Sequence, residues 1–428
     1  MGLLIRGGRV VDPDSRTDAI LDVLVSGRTI EAVGPRIAPG GNDVIDASGL
    51  VVAPGFIDMH VHLREPGNEK KETIRTAARA AARGGFTTIC GMPNTNPAND
   101  TPAVTEFVLA EARRSAVVNV LPIAAVTRGL KGDAPSDWAA LVRAGAVAFS
   151  DDGRPVGNTD IMRQALERSR TLGALIIDHC EDLSLTAGAL MNEGPTSRLL
   201  GLKGMPAAAE EVMVVRDIRL AEAAGARVHI AHLSVRGAVR AVAEARERGV
   251  RVSAEATPHH LLLDESLLEG RDANFKMNPP LRSVADVAAL VGALRDGVVD
   301  VIATDHAPHT EEEKTVGFEK APFGIVGLET AVPVLLDRLV RPNTISLSRF
   351  IALLSLTPAR LLGLGSKGRI SAGADADLTL LDLEAKTVVD RTRFESRSRN
   401  TPFNGWSLRG APAMTVVGGK VVYPFDRT

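Results

Sequence analysis

Residues 55–92 read GFIDMHVHLREPGNEKKETIRTAARAAARGGFTTICGM. Two short apolar runs, GFIDMHVH and FTTICGM, enclose an Ala- and Arg-rich stretch of helical composition that closes on two glycines. That is the grammar of a strand, a covering helix and a second strand parallel to the first. Further along the chain, the strand candidates VNVLPIAAV, AVAFS, ALIIDH, RVHIAH, RVSAEAT and VDVIATD are interleaved with helical stretches. These include TPAVTEFVLAEAR, TDIMRQALERSRTLG, AEEVMVVRDIRLAEAAG, VRGAVRAVAEARERG and SVADVAALVGALRDG. Eight strand candidates over residues 54–364 predict an α/β fold, a (β/α)8 barrel of the TIM type, whose functional residues collect where the strands end.

The two chain ends differ from this middle. Residues 1–53 contain LLIRGGRVVD, DVLVSGRTIEAVG and DVIDASGLVVAP, and residues 365–428 contain GRISAGADADLTLLDL, KTVVD and APAMTVVGGKVVYP, all broken by Gly, Pro and Asp turn signals. Neither end alone has enough strands for a stable sheet. They are expected to pair with one another as a small β-sandwich domain built from both ends.

Composition narrows the function. The 428 residues carry 50 Lys+Arg against 52 Asp+Glu, a net charge of −2, so no overall field draws the chain to nucleic acid or to an anionic membrane. Hydrophobic residues at 45% and charged residues at 24% are the balance of an ordinary globular protein. No run reaches the roughly 18 apolar residues of a spanning helix, and the opening MGLLIRGGRVVDPD lacks the apolar stretch of a signal peptide. Cys90 and Cys180 are too few for a disulfide framework or a thiolate metal site, and a reducing cytoplasm is the expected compartment. A small-molecule substrate fits these features best.

The strand ends carry the chemistry. Strand one ends in His60-Val61-His62, whose side chains share a face because they are two apart. Strand four ends in Ser150-Asp151-Asp152, strand five in Asp178-His179-Cys180-Glu181, strand six in His229-Ile230-Ala231-His232, and strand eight in Asp305-His306-Ala307-Pro308-His309. A lone HxH says little, but imidazoles and carboxylates converging on one rim are what nitrogen- and oxygen-liganded zinc requires, with a position left for water. Asp151 and Asp152 compete, since only one of two neighbours faces inward. His229, three residues before His232, is expected on the opposite side as a hydrogen-bonded core residue, and His259 and His260 in TPHHL are at most orienting groups.

These motifs, together with GMPNTNP, KMNPPLR, PFGIVGLE and GADADLTLLD, resemble the amidohydrolase superfamily. Within it they are similar to bacterial dihydroorotases whose bridging metal ligand is an aspartate. The resemblance spans essentially the whole chain. It implies His60, His62 and Asp305 at one zinc, His179 and His232 at a second, and Asp152 between them. Hydantoinases, allantoinases and animal dihydroorotases place a carbamylated lysine at the end of strand four. This chain has no lysine there, and whether one Zn2+ or two are bound stays open.

The resemblance further implies reversible cyclisation of N-carbamoyl-L-aspartate to L-dihydroorotate in pyrimidine synthesis, with Asp305 as both ligand and general acid/base. His62, Arg64, Asn94 and His309 would meet the substrate, the last three at its ring carboxylate. Asn278 and the backbone of Phe323 and Gly324 would meet the ring amides. Aspartate transcarbamoylase and further copies of the chain, as a homo-oligomer, are the implied partners. Metal-free relatives serve the first of these silently, whereas here all six ligand positions are filled. Residues 310–322, TEEEKTVGFEKAP, read either as a mobile lid or as a solvated surface loop.

Overall fold

Strands buried on both faces read as nearly continuous apolar runs, and helices must cover them. The computed structural model describes residues 2–424; residue 1 and residues 425–428 of the two end segments lie outside the described residues. The barrel strands are Phe56–Val61, Phe86–Gly91, Asn119–Ala124, Ala148–Phe149, Leu175–Asp178, Val228–Ile230, Val252–Ala256 and Val301–Ile302. They pair in parallel in chain order. A parallel bridge between Val61 and His306, with the His62 N–H donating to the His306 carbonyl at 2.9 Å, ties the eighth strand back to the first.

Covering helices run over Ile74–Arg83, Pro102–Ser115, Thr159–Leu172, Ala208–Ala224, Arg236–Glu247 and Val284–Asp296. Their ends follow local chemistry: Thr73 and Ser283 form capping boxes, and Gly173 closes its helix in the left-handed region at φ 69°. The residues EKKET at the front of the opening stretch stay out of the helix. Glu72 is instead buried and accepts a hydrogen bond from His306 Nε2 at 3.2 Å.

The chain ends do pair. Strands Leu3–Asp12, Thr17–Ser26, Thr29–Gly34, Asp43–Asp46, Val51–Pro54, Leu378–Val388, Ser407–Val417 and Lys420–Tyr423 form one mostly antiparallel eight-stranded sheet. The two ends join at Val51–Pro54 and Leu378–Leu381, with Leu380 opposite Val52. This is one continuous sheet that curls: the Ile30 N–H donates to the Ala374 carbonyl and the Ala376 N–H to the Arg28 carbonyl, so the far edge returns to the segment leading into Leu378. Leu3, Ile5, Val10, Val23, Val25, Val52, Leu378 and Leu380 form a core of its own inside that curl.

Residues 396–400 leave the sheet and run across the mouth of the barrel. There Ser398 Oγ donates to the Lys71 carbonyl, and the Asn400 side chain reaches residues 307, 309 and 324. Among the described residues, no helix is long and apolar enough to cross a membrane.

Candidate metal centre and adjoining pocket

His60, in the last turn of the first strand, donates from Nδ1 to Glu255 Oε1 at 2.6 Å. This fixes the ring so that Nε2 faces the barrel axis, 3.3 Å from Asp152 Oδ2 and 3.5 Å from Asp305 Oδ1. His62 Nδ1–H donates to Asn94 Oδ1 at 2.8 Å, and its Nε2 lies 3.1 Å from Asp305 Oδ1 and 3.5 Å from Asp152 Oδ2. His179 donates from Nε2 to Glu181 at 2.8 Å and turns Nδ1 to Asp152 Oδ1 at 3.4 Å; His232 Nε2 reaches the same oxygen at 3.2 Å. The Asp152 carboxylate is therefore shared: Oδ2 faces His60 and His62, and Oδ1 faces His179 and His232.

All six side chains are buried. Burial pulls His60 and His179 down, but the surrounding carboxylates win, raising His60 well above its ordinary value and His179 to about 10. Burial likewise pushes Asp152 and Asp305 up, and the imidazoles overrule it, holding both below the usual carboxylate range. Two groups of three ligand atoms, His60 with His62 and Asp305, and His60 with Asp152 and His232, each close to within 4.8 Å.

The fit to a divalent cation rests on the donors. His60 Nε2 is buried without a hydrogen bond while two carboxylate oxygens stand beside it, and an imidazole nitrogen in that setting becomes a metal ligand once it gives up its proton. A cation bound there displaces the imidazole protons, so its affinity rises with pH.

The structure separates the neighbouring aspartates. Asp151 points away, accepting from the Thr127 N–H at 2.9 Å and from the Thr127 hydroxyl. Desolvation lifts its carboxyl to about 6. His229 bonds to Ser253 Oγ at 2.8 Å and to Glu255 Oε2 at 3.2 Å, off the cluster. His260 is held by Thr257 and the Pro279 carbonyl, while His259 Nε2 is buried without a hydrogen bond. Cys90 and Cys180 are buried free thiols, and desolvation raises both.

Glu255 and Asp58 escape a reading of strand ends because both lie within strands. Glu255 holds His60 and His229, accepts from the His232 N–H, and is drawn down to about 2 against its own desolvation, chiefly by His60. Asp58 accepts from Thr304 Oγ1 at 2.6 Å and from the His60 N–H at 3.1 Å. The available signal was an acidic residue inside an otherwise apolar strand, which is rare without a partner.

A cavity of about 330 Å³ adjoins the cluster, lined by Arg64, Asn94, Asn278, His309, Phe323 and Gly324 together with His62, Asp152, His179 and Asp305. Strand geometry does not persist to Arg64. It sits in the left-handed region at φ 62°, and that turn brings it to the cavity. Arg64 Nε donates to the Pro308 carbonyl at 3.2 Å, Nη2 lies 3.5 Å from His309 Nε2, and the guanidinium forms no ion pair among the described residues. Desolvation pulls it down to about 10.

Asn278 Nδ2 donates to Glu181 at 2.8 Å, and His309 Nε2–H donates to the Phe323 carbonyl at 2.8 Å. Gly324 sits at φ +131°, where a Cβ would stand 2.8 Å from that of Ala307, so only glycine fits. The segment 310–322 holds a short helix, Glu311–Thr315, and buries Lys314, Phe318 and Ala321.

The model of dihydro-orotase-like proteins matches residues 49–238. Proteins described as dihydroorotase are similar over nearly the whole chain. One from Pelotomaculum thermopropionicum is 53% identical, covering 99% of this chain and 98% of its own. One from Geobacter metallireducens is 48% identical, covering 99% and 100%. Among solved structures, L-hydantoinase (dihydropyrimidinase) from Arthrobacter aurescens superposes with a TM-score of 0.88 at 27% identity, covering 99% of this chain and 96% of its own. Dihydropyrimidinase from Brevibacillus agri NCHU1002 gives 0.85 at 28%, covering 99% and 95%.

Fold, rim and relatives define the class, a barrel enzyme that hydrolyses cyclic amides. Within that class, the chain belongs to the dihydroorotase family.

Proposed function

We propose that the chain interconverts N-carbamoyl-L-aspartate and L-dihydroorotate, with release or uptake of water, in the de novo route to pyrimidines, and that it does so with zinc. The observation that carries this reading is Arg64. It is a desolvated cation with no ion pair among the described residues, in a cavity beside a cluster of four imidazoles and two carboxylates. Such a cation awaits an anionic ligand, and a planar fork matches a carboxylate.

His60, His62, His179, His232, Asp152 and Asp305 would hold the metal. The split of the Asp152 oxygens between two pairs of histidines favours two zinc sites with Asp152 as the bridge. Zinc, when bound, supplies a polarised carbonyl and a water acidic enough to ionise near neutral pH. The chain's own residues do the rest. Asp305 directs Oδ1 at His60 and His62, and among the described residues its Oδ2 has no hydrogen-bond partner. That oxygen takes the proton of the attacking water and delivers it to the departing ring nitrogen, and it works in reverse for ring closure.

Arg64, Asn94 and His309 receive the ring carboxylate. Asn94 uses Oδ1 on His62, which leaves its Nδ2 for the substrate. Asn278 and the backbone at Phe323 and Gly324 face the ring amides. Residues 54–364 are the catalytic unit, and the two chain ends, expected at 1–53 and 365–428, form a separate β domain beside it whose strands belong to one curled sheet. Association with further copies of the chain or with aspartate transcarbamoylase, and a cytoplasmic location, belong to the same reading.

Hydantoin hydrolysis is the second reading, favoured by the solved neighbours. An aspartate in place of the lysine at strand four, and a cation those uncharged rings do not need, stand against it. The test is turnover of L-dihydroorotate by purified, zinc-loaded protein, abolished by a chelator and restored by zinc. Faster hydrolysis of hydantoin or dihydrouracil would move the assignment to the second reading. Absence of bound zinc and of all turnover would leave only a silent partner of the transcarbamoylase.

A further inference from the structure

The loops that bear His309 and Gly324 meet a side chain from outside the barrel. Asn400 lies in the 396–400 segment that crosses the mouth, and it is 3% exposed. A primary amide offers one acceptor oxygen and two donor hydrogens. Here all three contacts, one accepted and two donated, fall on the substrate loops. Oδ1 accepts from the His309 N–H at 3.2 Å, and Nδ2 donates to the Ala307 carbonyl at 3.1 Å and to the Gly324 carbonyl at 3.0 Å. The Asn400 main-chain carbonyl accepts from the Val326 N–H at 2.8 Å. Asn400 itself does not line the cavity.

What it grips is linked by hydrogen bonds to the end of that cavity where Arg64 sits. Arg64 Nε rests on the Pro308 carbonyl, one residue before His309, and His309 Nε2–H donates to the Phe323 carbonyl. The other end of the segment is fastened to the loop after the first strand. Ser396 Oγ bonds to Glu72, Glu72 accepts from His306 Nε2, and Ser398 Oγ donates to the Lys71 carbonyl at 2.8 Å. The loop after strand one and the loop after strand eight are thereby held in one register by a segment that belongs to neither.

We propose that Asn400 is a positioning residue for substrate recognition: it sets the spacing between His309 and the Phe323–Gly324 backbone, and with them the seat of Arg64. This rests on the dihydroorotate reading above. An amide is required because the Ala307 and Gly324 carbonyls need donors and the His309 N–H needs an acceptor, a combination that neither aspartate nor a hydrophobic residue supplies.

The experiment compares wild-type, Asn400→Ala and the nearly isosteric Asn400→Asp proteins, all zinc-loaded, in steady-state kinetics on L-dihydroorotate, with zinc content and thermal melting measured on the same preparations. The expected result is a rise in KM of about ten- to a hundred-fold, with kcat changed by less than about three-fold and zinc content as in wild type. Asn400→Asp is expected to be at least as impaired as Asn400→Ala, because it keeps the acceptor and loses both donors.

A lower melting temperature with unchanged KM would show a merely structural role and overturn the proposal, as would an Asn400→Asp protein with wild-type KM. Wild-type protein inactive on dihydroorotate would overturn the functional reading itself. An active wild type with an unaffected Asn400→Ala protein would overturn only the role given to Asn400.

Discussion

Arg64→Met keeps the aliphatic stem and removes the charge that the cavity holds ready. The size of the effect follows from the unliganded site. Desolvation moves Arg64 from 12.5 to about 10, which corresponds to about 3 kcal/mol of penalty on its charged form at 1.36 kcal/mol per unit. A substrate carboxylate arriving beside it recovers most of that penalty. In the variant the carboxylate is desolvated with no partner, and truncating one member of such a pair costs about 2–5 kcal/mol. The two values agree on a loss in kcat/KM for L-dihydroorotate of roughly 10²–10³-fold. Dihydrouracil, which has no carboxylate, is expected to be processed equally by both proteins. Steady-state kinetics on the two rings, with zinc measured on each preparation, is the assay. An equal loss on both substrates at full zinc content would refute the reasoning, since Arg64 would then be acting through the metal cluster or the loop it leans on.

The remaining predictions test the cluster and its support. Asp152→Ala is expected to lose zinc and activity together while Asp151→Ala keeps its zinc; metal analysis showing the reverse would exchange their roles. Asp305→Ala is expected to slow ring opening and ring closure alike by at least about 10²-fold, and progress curves in both directions check this. Glu255→Gln weakens the hold on His60 Nδ1 and is expected to cost about 10–100-fold in zinc affinity, measured by competition with a chelator; unchanged affinity would remove Glu255 from the site. Glu329, which accepts from the Glu395 and Ser396 N–H groups outside the His/Asp cluster, is a pH probe, raised by burial from 4.5 to about 7. Its contribution to stability is complete below pH 4.5 and is lost as pH rises through about 7, amounting to about 3 kcal/mol. The melting temperature of Glu329→Gln minus that of wild type is therefore expected to increase across that window, and a flat difference would contradict the assignment.

The barrel was legible before folding because each of its elements is encoded locally. Runs such as Phe86–Gly91 are rich in β-forming residues and buried on both faces, and helices such as Val284–Asp296 carry their own start and stop at Ser283 and Gly297. The pairing of the two chain ends was legible because both carry the same short, turn-broken β pattern, although the N-terminal end alone supplies five strands and joins the other through Val51–Pro54. The chemical types at the rim could also be read, since His60, His179, His232 and Asp305 all stand at or just past a strand end.

Side-chain direction and distant partnership, by contrast, arise only on folding. Inward and outward alternate only while the backbone stays extended, and at Arg64, His232 and Asp305 it does not, with φ of 62°, 28° and 46°. The choice between Asp151 and Asp152 needed Thr127, which captures the first and leaves the second to four histidines. The orientation of His60 by Glu255 joins groups 195 residues apart, and the grip of Asn400 on Ala307 spans 93. No local pattern encodes such pairs. They exist because closing the barrel turns the inward faces of strands one and seven toward a common axis, across strand eight that lies between them, and because the curled end sheet returns the chain across the mouth.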